Sequence, residues 1–385
     1  MTEFDVDAIS LDGLRLRRSA KWRQYPPDVL PAWVAEMDFP LAAPIATALH
    51  NAIDRSDTGY RSVEGVAQAL AFFTDRSWGW QVDPADVAVV PDVISGIVHA
   101  LRVLTAEGDA VVINPPVYPP FFMVVRDVTK RQLVEAPMRR LPDGTWDWDL
   151  EALEAAFARP EVTAYVMSSP HNPTGSVATP QTLAAIADLA EGHGVAVISD
   201  EIHAPLVLPG ATFTPYLTVA GPHARAVTVT ASSKAWNTPG LKCAQIISTP
   251  RVSSRIGRSL PLEVAFGTGH LGAIAAVAAY MEGSAWLADV VAVLDGNRRL
   301  LVDLLSERLP DVGYVPPQAS YLAWLDMRVM GLGDDPAAAI LEKGRLALNS
   351  GPTFGTLGKG HARLNFATSP VLLQEIVERL SGVFQ

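Results

Sequence analysis

From Asp83 onward, short runs of β-branched and small apolar residues recur along the chain, separated by longer stretches with helical spacing. Val87–Val90, Ala110–Ile113, Thr163–Met167, Val195–Ser199 and Ala226–Thr230 have the length and composition of strands. The intervening segments Ile94–Thr105 and Thr182–Glu191 carry helical periodicity, and each opens behind a start signal, Pro91-Asp92 and Thr179-Pro180. Strands that alternate with helices predict an α/β fold with a mostly parallel central sheet flanked by helices. From about Ser284 the pattern changes: a long helix, a strand near Tyr321–Asp326, a helix near Pro336–Lys343, a strand near Arg363–Ala367 and a last helix from Pro370. That order predicts a smaller α+β domain. The expected divisions are an N-terminal segment, 1–41, packing with the small domain, a large domain, 42–283, and a small domain, 284–385.

Composition narrows the function classes. At roughly 100–200 residues per domain, 385 residues make two or three domains. Hydrophobic residues at 49% and charged residues at 18% fit an ordinary globular chain and exclude disorder. The longest apolar stretch, near Val264–Met281, is broken by Gly267, Gly269, His270 and Gly272, so a buried or interface helix is expected there. Glu3, Asp5 and Asp7 stand where a signal peptide needs positive charge, and a cytoplasmic location is expected. A net charge of −11 disfavours nucleic-acid binding. The one basic cluster, Arg15, Arg17, Arg18, Lys21 and Arg23, reads as a solvated face. A single cysteine, Cys243, and eight histidines without metal-ligand spacing leave no disulfide framework and imply no metal.

Chemistry in an open parallel sheet gathers at the carboxyl ends of the strands. Three successive strand ends are unusual here. Thr163–Met167 runs into Ser168-Ser169-Pro170-His171-Asn172-Pro173-Thr174-Gly175; Val195–Ser199 runs into Asp200-Glu201-Ile202-His203; Ala226–Thr230 runs into Ala231-Ser232-Ser233-Lys234-Ala235-Trp236-Asn237. Taken singly, an Asp after a strand is often a helix cap, an Asn-Pro a turn and a Ser-Ser-Lys solvated surface. Together they meet the needs of pyridoxal 5'-phosphate: a lysine for the Schiff base, a carboxylate for the pyridine nitrogen, an amide for the ring oxygen and donors for the phosphate.

With these elements in this order, 28 and then 34 positions apart, the chain resembles the class I/II aminotransferase superfamily of fold-type I pyridoxal phosphate enzymes. Arg18-Ser19-Ala20-Lys21-Trp22, Trp33-Val34-Ala35-Glu36-Met37-Asp38-Phe39-Pro40 and Asp200-Glu201-Ile202-His203 are similar to the MalY/PatB group of cystathionine β-lyases, or C–S lyases, although that group more often has Asp where Glu36 stands. The resemblance implies that Lys234 carries the cofactor and takes the substrate Cα proton, that Asp200 and Asn172 hold the ring, and that Tyr118 stacks on it. It further implies that the phosphate lies on the helix start at Val93 and Ile94, with Thr230, Ser233 and Lys242 as donors, and that Tyr60 comes from a second subunit of a homodimer. Asp92 is expected to turn away from that phosphate. Arg363 is expected to grip the substrate carboxylate beside Asn172, with Trp33, Tyr118 and Trp236 as pocket aromatics. His203 is either a cofactor contact or a packed helix-start residue, and His171 a structural one. The activity implied is cleavage of L-cystathionine or related cysteine S-conjugates to a thiol, pyruvate and ammonia. Transamination by the same residues, and a regulatory role through a protein partner, stay open.

Overall fold

The computed structural model describes residues 5–384 of the chain, so Glu3 of the acidic start lies outside the described residues. Its centre is a seven-stranded sheet in the order 87–90, 244–248, 226–230, 196–200, 162–168, 110–113, 132–135. The five strands from 226–230 to 132–135 run parallel, and 244–248 runs antiparallel to both its neighbours. Ala196–Asp200 and Ala226–Thr230 are buried at every position, as strands covered on both faces must be. Each large apolar side chain so covered contributes about 1.5–3 kcal/mol.

Five strands fall where the hydrophobic runs put them, two with shifted ends: Val162–Ser168 and Ala196–Asp200, so Asp200 closes its strand rather than following it. The pattern did not reveal Gln132–Glu135, an edge strand exposed at Gln132 and Glu135, or Ala244–Ser248. Helix Val93–Leu104 packs on the sheet through Gly96, where an added Cβ would come within 2.7 Å of Val229. No single helix is long and apolar enough to cross a membrane. The apolar stretch after Val264 instead becomes a short helix, Leu262–Phe266, followed by His270–Glu282, whose alanine-rich length is largely buried.

A second sheet takes the order 313–314, 322–326, 361–365, 349–350, all antiparallel, and the helix Ser284–Arg308 packs against the helix Pro370–Gly382. The N-terminal stretch joins this region, because Leu30–Pro31 pairs in parallel with Leu346–Ala347. The basic cluster is not the solvated face that its charges suggested. Lys21 is 2% exposed and its Nζ lies 2.8 Å from Asp38 Oδ1, while Arg17 donates to the carbonyls of Met37, Asp38 and Phe39. These two cations are consumed in holding the loop 33–39; Arg18 and Arg23 remain at the surface.

Candidate active site

The strands end at one edge of the large sheet around a cavity of about 600 Å³. Tyr118 comes from the loop after 110–113, Asn172 from the turn after 162–168, Asp200 from the end of 196–200, and Lys234 from the short helix Ser232–Ala235 after 226–230. Trp33 and Arg363, one from the N-terminal stretch and one from the strand His361–Asn365, complete the wall. The strand ends thus bring together side chains more than 100 positions apart, as parallel topology requires.

Burial sets the electrostatics. Asp200 is deeply buried, which raises its carboxyl to about 7 against the lowering by the Ile202 N–H at 3.1 Å and the Lys234 charge. Lys234 is lowered to about 8 by burial and then by the Arg363 charge, with Asp200 and Glu36 acting in the opposite sense. Its Nζ donates to the Ala35 carbonyl at 2.8 Å, which Tyr321 Oη also reaches at 3.1 Å. A lysine near 8 keeps a useful share of neutral amine at pH 7, and strongly shifted groups in a cleft mark chemistry.

Arg363 is 2% exposed, and burial holds it down to about 10. Nη1 reaches Asn172 Oδ1 at 2.9 Å and Nη2 the Trp33 carbonyl at 3.1 Å, while the guanidinium lies 5.1 Å from the Phe354 ring. Nε is buried without a hydrogen-bond partner. A planar group fixed on two sides with donor capacity left over is suited to a carboxylate.

At the other end the helix Val93–Leu104 directs its first turn at the cavity. Val93 and Ile94 occupy positions whose N–H groups have no intrahelical acceptor, and the helix dipole favours an anion there. Ser233 lies in the same wall. Asp92 does not leave the rim, contrary to expectation: Oδ1 caps the Ser95 N–H at 2.8 Å and Oδ2 pairs with Lys242 at 2.9 Å. Burial raises the Asp92 carboxyl, but the Ser95 N–H and Lys242 outweigh it, so the group stays charged and paired.

Two expected residues fall elsewhere. Thr230 lines a separate small cavity with Phe73, Trp78 and Trp80. Strand alternation explains this, since Val227 and Val229 pack toward the helix Val93–Leu104 and place Thr228 and Thr230 on the other face. Trp236 is fully buried against Phe73 and Tyr280, with Nε1 on the Gly283 carbonyl at 2.9 Å, and lines no part of the site cavity. Tyr60, expected to serve a second subunit, is 95% exposed and lies outside the cavity of its own chain. His203 does line the cavity. His171 sits behind it, edge-on to Trp148, with Nδ1 2.9 Å from Thr174 Oγ1. The sequence reading missed Ser168, Asn349 and the Ala35 carbonyl; Ser168 carried a signal in its place at the strand end, the carbonyl none. Among the described residues, no three His, Cys, Asp or Glu side chains are gathered for a metal ion.

Residues 34–380 match the pattern of the family described as aminotransferase class I and II. The chain belongs to that family. It is 44% identical, over 99% of its length and 98% of the relative's, to a protein of Mycobacterium leprae provisionally named cystathionine beta-lyase. It is 34% identical to cystathionine beta-lyase PatB of Bacillus subtilis, with 92% of each chain covered. Among solved structures, a protein of Corynebacterium diphtheriae described provisionally as a PLP-dependent beta-cystathionase superposes with a TM-score of 0.90 at 35% identity, covering 97% of this chain and 98% of that one. The fold is therefore that of the fold-type I enzymes.

Proposed function

We propose that the protein is a pyridoxal 5'-phosphate-dependent carbon–sulfur β-lyase acting on L-cystathionine or related cysteine S-conjugates. The observation that carries the reading is the convergence of Lys234, Asp200, Asn172 and Arg363 on one buried cavity whose far end is a helix start. The residues fit the cofactor. Asp200 is a buried carboxyl in need of a cationic partner, which a protonated ring nitrogen would be. Asn172 spends Oδ1 on Arg363 and keeps its amide hydrogens for a ring oxygen. Val93 and Ile94 offer backbone N–H groups to a phosphate, with Ser233 and Lys242 close by, and Tyr118 supplies an aromatic face.

The bound cofactor would supply an electron sink for the carbanion that forms at the substrate Cα. The chain's own residues do the rest. Arg363 holds the substrate carboxylate and so fixes which bond at Cα faces Lys234. Lys234, neutral in part at pH 7, takes the Cα proton on Nζ, and the Ala35 carbonyl 2.8 Å away accepts a hydrogen bond from the resulting ammonium. With the proton held there, the electron pair at Cα forms a Cα=Cβ bond as the Cβ–S bond breaks, and the sulfur departs with the bonding pair as thiolate. Trp33 lines the cavity from the N-terminal stretch. Transamination would use the same groups, and elimination is favoured by the names of the relatives, which match over 92–99% of this chain.

In this reading the enzyme is a cytoplasmic homodimer, with the exposed Tyr60 completing the phosphate site of the second copy, and its divisions are 1–41, 42–283 and 284–385. The deciding measurement is release of pyruvate and thiol from L-cystathionine without an added keto acid. Equal amounts of the two are expected, falling about a thousandfold or more in Lys234→Ala, since that variant loses both the covalent anchor and the base. Amino-group transfer dependent on a keto acid, with no thiol, would overturn the lyase reading and keep the cofactor.

A further inference from the structure

The segment before the strand Leu322–Asp326 reaches the site by an unusual path. It crosses the Asn-Pro-Thr-Gly turn at Gly175, where φ is +70° and an added Cβ would lie 2.3 Å from Pro317 Cβ. The N–H groups of Gln318 and Ala319 both meet the Gly175 carbonyl at 3.1 Å. Ser320 follows with φ +74°, a left-handed backbone that a residue with a Cβ adopts only under constraint. Its N–H is fixed on the Leu206 carbonyl at 2.9 Å and the residue is 2% exposed. Outliers of this kind concentrate at functional sites, so what the Ser320 side chain touches is informative.

Its hydroxyl meets His203 Nδ1 at 3.1 Å and has no other partner among the described residues. His203 lies three positions past Asp200, its ring lines the cavity, and its other face packs edge-on to Tyr321. The ring is neutral at working pH, because burial, and then the Lys234 and Arg363 charges, push it down to about 3. One ring nitrogen therefore carries a hydrogen and the other accepts. If Nδ1 carried it, Nδ1–H would donate to Ser320 and the serine proton would be left buried without an acceptor. If Nε2 carries it, the serine donates to Nδ1 and both groups are satisfied. A stranded buried donor costs more than a made bond returns, so the second arrangement wins.

We propose that Ser320 is a positioning residue: its hydroxyl fixes the hydrogen of His203 on Nε2, which presents a neutral donor to the cavity in which the cofactor would lie. The ligand half of this statement rests on the pyridoxal phosphate reading; the histidine half does not. Through Ser320 the small sheet's leading segment thereby takes part in tuning a site built mainly on the large sheet.

The test uses the intact protein labelled with 15N-histidine, His203 being assigned by the signal lost in His203→Gln. Wild type is expected to show an unprotonated Nδ1 and a protonated Nε2 throughout the range in which an ordinary histidine titrates. Ser320→Gly removes the hydroxyl and relieves the left-handed strain, so it folds at least as well, which thermal melting checks. It should nonetheless lose the single tautomer and bind pyridoxal phosphate about tenfold more weakly, the worth of one hydrogen bond. Ser320→Thr, at some cost in stability, should restore both. A protonated Nδ1 in wild type, or a Ser320→Gly protein with unchanged tautomer and affinity, would overturn the proposal. If no form takes up pyridoxal phosphate, the cofactor reading and the ligand half fall together, while the nitrogen signals still decide the role of Ser320 toward His203.

Discussion

Lys21 and Lys234 are both buried, and both donate to carbonyls of the same loop, 33–39, yet the chain treats them in opposite ways. Lys21 reaches the Glu36 carbonyl at 3.1 Å and the Asp38 carboxylate at 2.8 Å, a matched ion pair with side chains 2% and 4% exposed. Lys234 reaches the Ala35 carbonyl at 2.8 Å, and Asp200 and Glu36 act on it only through space, which leaves burial as the dominant influence. A satisfied charge holds two pieces of backbone together. A charge deprived of its partner is kept ready to lose a proton or take one. The loop between them is the hinge of the comparison, because one lysine fixes the carbonyls against which the other acts.

Replacing each lysine by methionine should therefore change stability with opposite sign. Lys21→Met strands Asp38 in the interior and should cost about 3–5 kcal/mol, read as a lower urea midpoint. Lys234→Met, measured without cofactor at pH 7, should stabilise by roughly 3 kcal/mol, since a group moved from 10.5 to about 8 carries about 1.4 kcal/mol per unit. The sign follows from proton counting. Between pH 8 and 10.5 the unfolded chain holds a proton on this lysine that the folded chain has lost, so wild-type stability rises with pH across that window. The advantage of Lys234→Met should be complete below pH 8 and gone by 10.5. Two destabilised variants would dissolve the distinction between the lysines.

The kinetic side of the contrast is smaller and equally signed. Attack on the cofactor aldehyde needs a neutral amine, so the rate of covalent capture by cofactor-free protein should climb about tenfold per pH unit and level off near 8. A solvated lysine would go on climbing to its ordinary value. Because the Asp200 charge supports protonation of Lys234, Asp200→Asn should move the levelling point to lower pH. Borohydride trapping of the lysine adduct over a pH series reads both, and an inflection that stayed above 10 would show that Lys234 is not the shifted group.

What could be read from the sequence follows the same division. Strand ends are legible because short apolar runs stop abruptly at polar residues, so the sequence alone puts Asn172, Asp200 and Lys234 at one edge, and Arg363 stands out as a charge within a strand-like run. The partners that define their chemistry are not. Ala35 acts through a carbonyl that no side chain advertises, and Lys21 looks in sequence like its solvated neighbours because Asp38 meets it only in the fold. Thr230 was misplaced by nearness: it precedes Lys234 by four positions, but the period-2 alternation of its strand carries it to the other face. Trp236, two positions past Lys234, is drawn into the aromatic core by Phe73 and Tyr280 in the same way.

The Asp92–Lys242 pair is an intermediate case, and it sharpens the contrast at the phosphate end. Its side chains are 36% and 52% exposed, so solvent screens the pair and it is worth at most about 1 kcal/mol. Asp92 nonetheless places a carboxylate beside the helix start proposed for the phosphate and occupies Lys242, a cation proposed for the same phosphate. Asp92→Asn keeps an oxygen to cap the Ser95 N–H, so the helix start should survive. It removes the negative charge and releases Lys242. Pyridoxal phosphate should then bind up to about fivefold more tightly, with the gain shrinking as salt is added. Cofactor dissociation constants at two ionic strengths measure this. Unchanged or weaker binding at low salt would mean that the pair acts as Lys21–Asp38 does, as a fastening, and that the phosphate relies on the backbone of Val93 and Ile94 and on Ser233 instead.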